Sequence, residues 1–138
     1  ELSELFQKNA GKKISGIKER DYQRLNELMD YCVKNKKGRI LGVRSPEGII
    51  LYGIFTVEIK GRKTMLFVVN TRESRYYRLG YRIVNEIIKE SAGSRTILDF
   101  AGSSVTSIAS FMESFGSKIV PFYRNYCNRF PWPLRLLK

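Results

Sequence analysis

The sequence contains no histidine and only two cysteines, Cys32 and Cys127. A Ser-His-Asp triad, a Cys-His dyad and a histidine-based metal site are therefore excluded within these residues. Two thiols cannot make a four-cysteine zinc site, so we predict no metal. We interpret both cysteines as small buried hydrophobic residues rather than a disulfide, which predicts a reducing compartment and a cytoplasmic protein.

Long apolar runs and acidic residues are also scarce. No run approaches the ~20 apolar residues that a membrane helix needs, and the opening ELSELFQKNAGKK lacks the apolar core of a signal peptide. Only 13 acidic residues stand against 25 basic ones, which gives a net charge of +12. This excess favours an anionic partner, such as nucleic acid, a nucleotide phosphate or an anionic membrane surface, unless the charge serves solubility alone.

The length of 138 residues, with 43% hydrophobic and 28% charged residues, is typical of one globular domain. The sequence has no initiator methionine, so we expect it to be part of a longer chain. We divide it into a polar N-terminal segment over residues 1–20 that crosses the surface, a core over 21–126, and a basic, proline-rich tail over 127–138.

Hydrophobic periodicity predicts alternating helices and strands. The predicted helices span 21–36, with Asp21 as N-cap, then 74–91 and a segment around 108–115. The predicted strands span 39–44, 49–59, 64–69, 96–100 and 118–126, and Gly53 marks a bulge or a close approach of another element. Three strands joined by hairpins, then two β-α-β passages, predict an α/β (α+β) protein. We expect a mixed, mostly antiparallel sheet with helices on both faces.

This order resembles the GNAT (Gcn5-related N-acetyltransferase) fold, over roughly residues 38–127. The string ILDFAGSSVTSIASFMESFGSKIVPFY is similar to the closing segment of the FemAB-type branch, which has an Asp-Phe-x-Gly turn, a helix and a Phe-Gly before the last strand. The matching residues are Asp99, Phe100, Gly102, Phe111, Phe115 and Gly116. The preceding VVNTRESRYYRLGYRIVNEII resembles the crossing from strand to helix in the same branch.

FemAB-type enzymes join two GNAT-like halves and transfer an aminoacyl group from charged tRNA to an amine on a peptidoglycan precursor. The resemblance implies that this chain is the C-terminal half, with an N-terminal GNAT-like half as partner and a CoA ester or aminoacyl-tRNA as acyl donor. Two alternatives stay open. One is a non-catalytic GNAT-like module that binds RNA, another polyanion or a partner domain. The other is an acetyl-CoA-dependent N-acetyltransferase.

The resemblance places the donor at the junction between a strand and the central helix, where two strands are expected to part after Val69. The candidate donor and phosphate-binding residues are Asn70, Thr71, Arg72, Arg75, Arg78 and Gly80. Helix N-terminal amides and arginine side chains both suit phosphate, and Tyr76 and Tyr77 can stack on a base or an adenine ring. The opposing interpretation is a solvated first helical turn with Tyr76 in the core.

Two residues depart from the pattern of acetyl-CoA enzymes. That pattern is Gln/Arg-x-x-Gly-x-Gly/Ala, whose glycines let the pyrophosphate approach the backbone. Here Arg78 stands at the first glycine and Gly80 at the second. GNAT enzymes often carry a tyrosine that serves as general acid in the late helix, and the resemblance places Met112 there. Both departures favour the binding-module interpretation.

Asp99 is the candidate catalytic carboxylate, because it ends a short apolar strand of the kind that opens into a crevice. As a general base it would deprotonate the acceptor amine, with a pKa raised by partial burial. The alternative, which we favour from the sequence, is that Asp99 accepts hydrogen bonds from the amides of residues 102–104 and holds the turn. Gly102 and Ser103 are then structural residues of this turn.

The end of the chain is basic and aromatic. No acidic residue follows Glu113, and lysines and arginines alternate there with aromatic residues such as Trp132. This mixture suits RNA or an anionic lipid surface, and equally a tail that packs over the edge of the sheet.

Overall fold

The structure is a computed structural model that describes residues 2–9, 17–103, 105–121 and 123. The helices are α1 (Leu2–Asn9), α2 (Glu19–Lys34), α3 (Arg72–Tyr76), α4 (Leu79–Ser91) and α5 (Thr106–Glu113). The strands are β1 (Gly38–Arg44), β2 (Ile50–Ile59), β3 (Arg62–Asn70) and β4 (Ile97–Asp99). None of these helices is both long and apolar enough to cross a membrane. The chain divides into two units, Glu1–Gly102 and Ser103–Lys138, and α5 belongs to the second.

The four strands form one sheet in the order β1-β2-β3-β4. β1 and β3 each pair with β2 in antiparallel fashion, and β4 pairs with β3 in parallel. Lys60 and Gly61 both have positive φ angles (50° and 74°), the geometry of a tight two-residue hairpin turn between β2 and β3. The predicted mixed, mostly antiparallel sheet is confirmed.

Helices cover both faces of the sheet. On one face, α1 and α2 contribute to a buried cluster with the two central strands, formed by Leu2, Met29, Cys32, Phe55, Val57 and Val69. α4 lies on the other face. Thr56 alternates with Phe55 and Val57 along β2, so Thr56 and its register partner Arg39 of β1 point away from the core cluster. Arg39 makes two hydrogen bonds to the Glu90 carboxylate of α4, at 2.8 and 3.0 Å. The alternation of side chains along β2 therefore serves two helical layers.

Two glycines permit helices to approach the sheet closely. A Cβ atom on Gly38 would lie 2.7 Å from the Cβ of Cys32 in α2, and one on Gly53 would overlap Cδ1 of Leu2 in α1. Of the two interpretations of Gly53, the close approach of another element is the one that the structure shows. Both glycines lie on the face that packs against α1 and α2.

The N-terminal part of the chain differs from the expected surface segment. Residues 2–9 form α1, and Leu2 is buried in the core cluster. Leu5 and Phe6 pack against the same cluster, so a narrow stripe with the spacing i, i+3, i+4 anchors an otherwise polar helix. Residues 10–16 lie outside the described residues. Asp21 is not the N-cap of α2, which starts at Glu19, and its Oδ2 accepts a hydrogen bond from the Lys18 amide at 2.8 Å.

Two other predicted elements are revised. The single helix over 74–91 is in fact α3 and α4, separated at Arg78, whose φ of 52° and ψ of 36° are left-handed and cannot continue a right-handed helix. In the predicted last strand, residues 118–121 and 123 are irregular, and the other residues of 118–126 lie outside the described part, as does the tail over 127–138.

A buried tyrosine gives the fold a pH dependence in alkali. Tyr52 of β2 is 2% exposed, and burial raises its pKa to about 12 from an ordinary value near 10. Its contribution to stability is complete below pH ~10 and is lost as the pH rises toward 12. Between about pH 8 and pH 11, the free energy of unfolding should fall in both proteins. We expect the fall to be smaller in Tyr52→Phe than in the wild type by about 1.4 kcal/mol.

Denaturant titrations at the two pH values measure this difference. Tyr76→Phe is the matched control, since Tyr76 is 81% exposed, and its loss between the two pH values should equal that of the wild type. An equal loss in Tyr52→Phe and Tyr76→Phe would contradict the prediction.

Candidate functional site

β3 and β4 part early. Their ladder has three pairs, Arg62 with Ile97, Lys63 with Leu98 and Thr64 with Asp99. β3 then continues to Asn70 and stays paired with β2 to its end. Within the described ranges, no strand pairs with β3 on its β4 side beyond Thr64. The six residues from Met65 to Asn70 therefore form an open edge about 20 Å long, which begins five residues before the expected parting after Val69.

Asp99 causes β4 to stop. Its Oδ1 accepts a hydrogen bond from the Ala101 amide at 2.9 Å, and its Oδ2 accepts one from Nη1 of Arg62 in β3, also at 2.9 Å. Ala101 and Gly102 both have positive φ angles, 59° and 71°. Two consecutive left-handed residues turn the backbone away from the extended path, so the pairing with β3 cannot continue.

A bulge lies where the open edge begins. Phe55 pairs with Phe67 and Thr56 with Met65, so Leu66 is an extra residue in β3. A bulge bends its strand and re-aims the neighbouring main-chain groups. The side chains of Leu66 and Val68 are 48% and 40% exposed. The edge therefore combines main-chain hydrogen-bonding groups with exposed apolar side chains.

The junction after β3 is held by its own polar side chains. Oγ1 of Thr71 accepts a hydrogen bond from the Ser74 amide at 3.1 Å, and the hydroxyl of Ser74 donates to Oδ1 of Asn70. Ser74 is 1% exposed, and the Thr71 amide donates to the Leu51 carbonyl at 3.2 Å. Asn70 and Thr71 thus position the start of α3. Ser74 was missed from the sequence, although Thr71 and Ser74 have the spacing of an N-cap pair.

The arginines of this junction are exposed, and none of them has an ion pair with a described residue. They are Arg72, Arg75, Arg78 and Arg82. Some cations of the first unit are paired with carboxylates, namely Arg39, Arg62, Lys63 and Lys89. The junction therefore presents positive charge that the described protein groups do not neutralise.

The tyrosines of the junction are exposed as well. Tyr76 is 81% exposed and Tyr77 56%, and their rings lie edge to face with centroids 5.0 Å apart. The interpretation that places Tyr76 in the core is therefore wrong. Gly80, by contrast, is buried in the first turn of α4.

Arg78 occupies the backbone conformation that glycine favours. It is the N-cap of α4, in the left-handed region, at the position where the acetyl-CoA pattern has its first glycine. An L-residue there is less stable than glycine by about 1–2 kcal/mol. Met112, the other departure, lies in α5 of the second unit and is half-buried.

The electrostatics of Asp99 differ from the expectation. The hydrogen bond from the Ala101 amide, and then the Arg62 guanidinium, hold the pKa of this carboxyl below its ordinary value, whereas we expected burial to raise it. The role of holding the turn fits better, with Ala101 as the donor rather than residues 102–104. Ser103 belongs to the second unit, where its Oγ accepts a hydrogen bond from the Val105 amide at 3.1 Å.

The sequence-predicted site residues fall into two groups along the open edge. Asp99 lies beside Thr64 at one end, and the residues of the junction follow Asn70 at the other. The structure does not bring Asp99 and Asn70 together. Arg62, which no sequence pattern singles out, joins the first group through its contact with Asp99.

No protein-family model matches the sequence, and no curated protein does. Solved structures match the fold. A candidate acetyl transferase from Pyrococcus furiosus has a TM-score of 0.67 at 10% identity, over 92% of this chain and 91% of that one. An acetyltransferase from Trypanosoma brucei has a TM-score of 0.60 at 13% identity, over 91% and 89%. The glucosamine-6-phosphate N-acetyltransferase from Arabidopsis thaliana has a TM-score of 0.53 at 16% identity, over 90% and 86%.

These similarities cover most of each chain, and these three structures are described as acetyltransferases. At such low identities they show the fold alone. The chain has the GNAT fold, as the order of its helices and strands indicated.

Removal of the Asp99 charge tests its role in the turn. Because its pKa is lowered in the folded state, its contribution to stability is present above the unfolded pKa of about 4 and is lost as the pH falls below that value. We expect Asp99→Asn to be less stable than the wild type at neutral pH, with a difference that shrinks in acid. Chemical denaturation across this range measures it.

The exposed Asp30→Asn in α2 is the charge-matched control and should show little difference at either pH. A neutral-pH stability of Asp99→Asn equal to that of the wild type would contradict the turn-holding role.

Proposed function

We propose that this domain transfers an acyl group from a phosphate-bearing donor to an amine. The observation that carries the proposal is the open edge of β3 that runs from a bulge at Leu66 to an arginine-rich junction after Asn70. A strand edge offers main-chain hydrogen bonds to an extended ligand, and arginines suit the phosphates at one end of it.

The length of the edge fits such a donor. About 20 Å separate the end of the β3–β4 ladder from the junction. A donor whose acyl carbon and phosphates are linked by a long arm would reach both. The arm would lie against the exposed side chains of Leu66 and Val68, and the phosphates would meet Arg75 and Arg78.

The chemistry takes place at the bulge end. The amine nitrogen attacks the acyl carbonyl, the new C–N bond forms, and the bond to the leaving sulfur or oxygen breaks. A main-chain amide re-aimed by the bulge would polarise the carbonyl oxygen. Asp99 is the candidate base for the amine, although its lowered pKa makes it a weak one and favours its role in the turn. The proton finally goes to the leaving group.

Two donors suit this geometry. The acetyltransferases among the similar structures support a CoA ester. The FemAB resemblance of the sequence around Asp99 supports an aminoacyl-tRNA, with a second GNAT-like half as partner. Arg78 stands at the place of a glycine, so a CoA pyrophosphate would be held there by a guanidinium group and not by main-chain amides alone. An arginine at this position fits the many phosphates of a tRNA at least as well.

A non-catalytic domain is the second candidate function. Met112 cannot donate a proton, so the general acid that many GNAT enzymes place there is missing. Such a domain would use the same junction to bind a polyanion, or it would pack against a partner domain. Transfer of a labelled acyl group to any amine distinguishes the two candidates.

Binding at the junction is tested with Arg78→Ala and Lys36→Ala. The two residues are matched, since both are exposed and both have a positive φ, 52° and 54°. We expect acetyl-CoA to raise the melting temperature of the wild type, and Arg78→Ala to lose most of this shift while Lys36→Ala keeps it. Calorimetric titration gives the corresponding affinities.

A second variant separates binding from folding. Arg78→Gly removes the same guanidinium but relieves the left-handed backbone, so it should fold at least as well and show the same loss of binding. Equal losses in the Arg78 and Lys36 variants would mean that charge acts diffusely. No shift with any CoA ester would eliminate the acetyl-CoA donor, and the same titration with charged and uncharged tRNA then tests the other one.

A further inference from the structure

The outer surface of α3 and the start of α4 has a composition unlike the rest of the first unit. We name it the Arg-Tyr surface and define it by Arg72, Arg75, Tyr76, Tyr77, Arg78 and Arg82. We propose that it binds single-stranded nucleic acid. The proposal shares residues with the donor site above, but it does not require acyl transfer.

The charges of the Arg-Tyr surface repel one another. Arg72 and Arg75 lie three residues apart within α3, a spacing at which like charges on a helix are destabilising, and Arg78 and Arg82 follow at the break and in the first turn of α4. None of the four has an ion pair with a described residue, unlike Arg39, which is paired with Glu90. An anion that spans several arginines would relieve this repulsion, and a nucleic acid backbone presents one charge per nucleotide.

The aromatic rings supply a second, independent feature. Tyr76 and Tyr77 are 81% and 56% exposed, and their rings contact each other edge to face. Exposed rings beside arginines are typical of proteins that stack the bases of single strands. The bases of a duplex are stacked on each other and offer no free face. The combination therefore indicates a single strand.

The composition of the surface argues against a membrane. Helices that lie on anionic bilayers insert leucine, phenylalanine or tryptophan between their basic residues. The Arg-Tyr surface contains none of these, and both of its rings have a polar hydroxyl.

The backbone under the surface is fixed. The buried hydroxyl of Ser74 donates to Asn70, and Thr71 caps α3. The left-handed Arg78 then determines the angle between α3 and α4. The rings and guanidinium groups therefore extend from an ordered turn, which reduces the entropy lost on binding.

The test is fluorescence anisotropy with labelled oligo-uridine and oligo-thymidine of about 12 nucleotides, in a salt series and without any acyl donor. We expect the slope of log K against log salt to be smaller in magnitude by about 1.4 for Arg72→Ala/Arg82→Ala, at about 0.7 per phosphate contact. Tyr76→Ala should weaken binding by about fivefold or more, and Tyr76→Phe should bind like the wild type because the ring remains.

The matched control is Arg20→Ala/Arg24→Ala, which removes the same charge from exposed positions of α2 and should leave the slope unchanged. Binding of either oligonucleotide with these dependences supports the proposal. Equal effects of the two double variants would overturn it in favour of diffuse charge. Binding to phosphatidylglycerol vesicles but to neither oligonucleotide would overturn it in favour of a membrane. Because no acyl donor is present, the result stands whether or not acyl transfer is found.

Discussion

The carboxylate of Asp99 determines where the pairing between β3 and β4 ends. One oxygen accepts a hydrogen bond from Ala101 and turns the chain, and the other holds Arg62 of the neighbouring strand. The parallel ladder ends at that residue, so the rest of β3 keeps an open edge. If β4 continued beside β3, the bulge at Leu66 and the exposed side chain of Val68 would be covered. The candidate site therefore depends on the turn after Asp99, because that turn leaves the edge of β3 open.

The sheet and the major helices could be predicted because each has a hydrophobic pattern that is visible within its own stretch of sequence. β2 is rich in β-branched and aromatic residues, and α2 and α4 show a clear apolar stripe. α1 was misread because only three apolar residues mark it in a polar stretch, and what makes it a helix of the core is tertiary packing of Leu2 against Gly53. The break at Arg78 was missed for a related reason. An arginine gives no local signal for a left-handed residue, and its neighbours continue the helical period.

The candidate site shows the same division between local and long-range information. The arginines and tyrosines after Asn70 are close in sequence, so their clustering could be predicted directly. The pairing of Arg62 with Asp99 joins residues 37 positions apart, so no local sequence pattern predicts it. The pKa of Asp99 is lowered by the hydrogen bond from the Ala101 amide and then by Arg62, so the expectation of a raised pKa, which considered burial alone, is wrong. The ion pair of Arg39 with Glu90 also joins residues distant in sequence and could not be predicted from it.

Arg78 shows how the fold and the binding surface constrain each other. Glycine would adopt its backbone conformation without strain, so local stability alone does not explain an arginine there. The residue adds a fourth guanidinium to a surface whose other arginines are also unpaired with described groups. Lys36, Lys60 and Ala101 also have a positive φ, so the left-handed backbone alone does not mark a functional residue, and the feature specific to Arg78 is its place among exposed arginines. In the donor site that we propose, a pyrophosphate loop made of main-chain amides alone would favour glycine, so an arginine at this position is the change expected for a longer polyanion such as single-stranded nucleic acid.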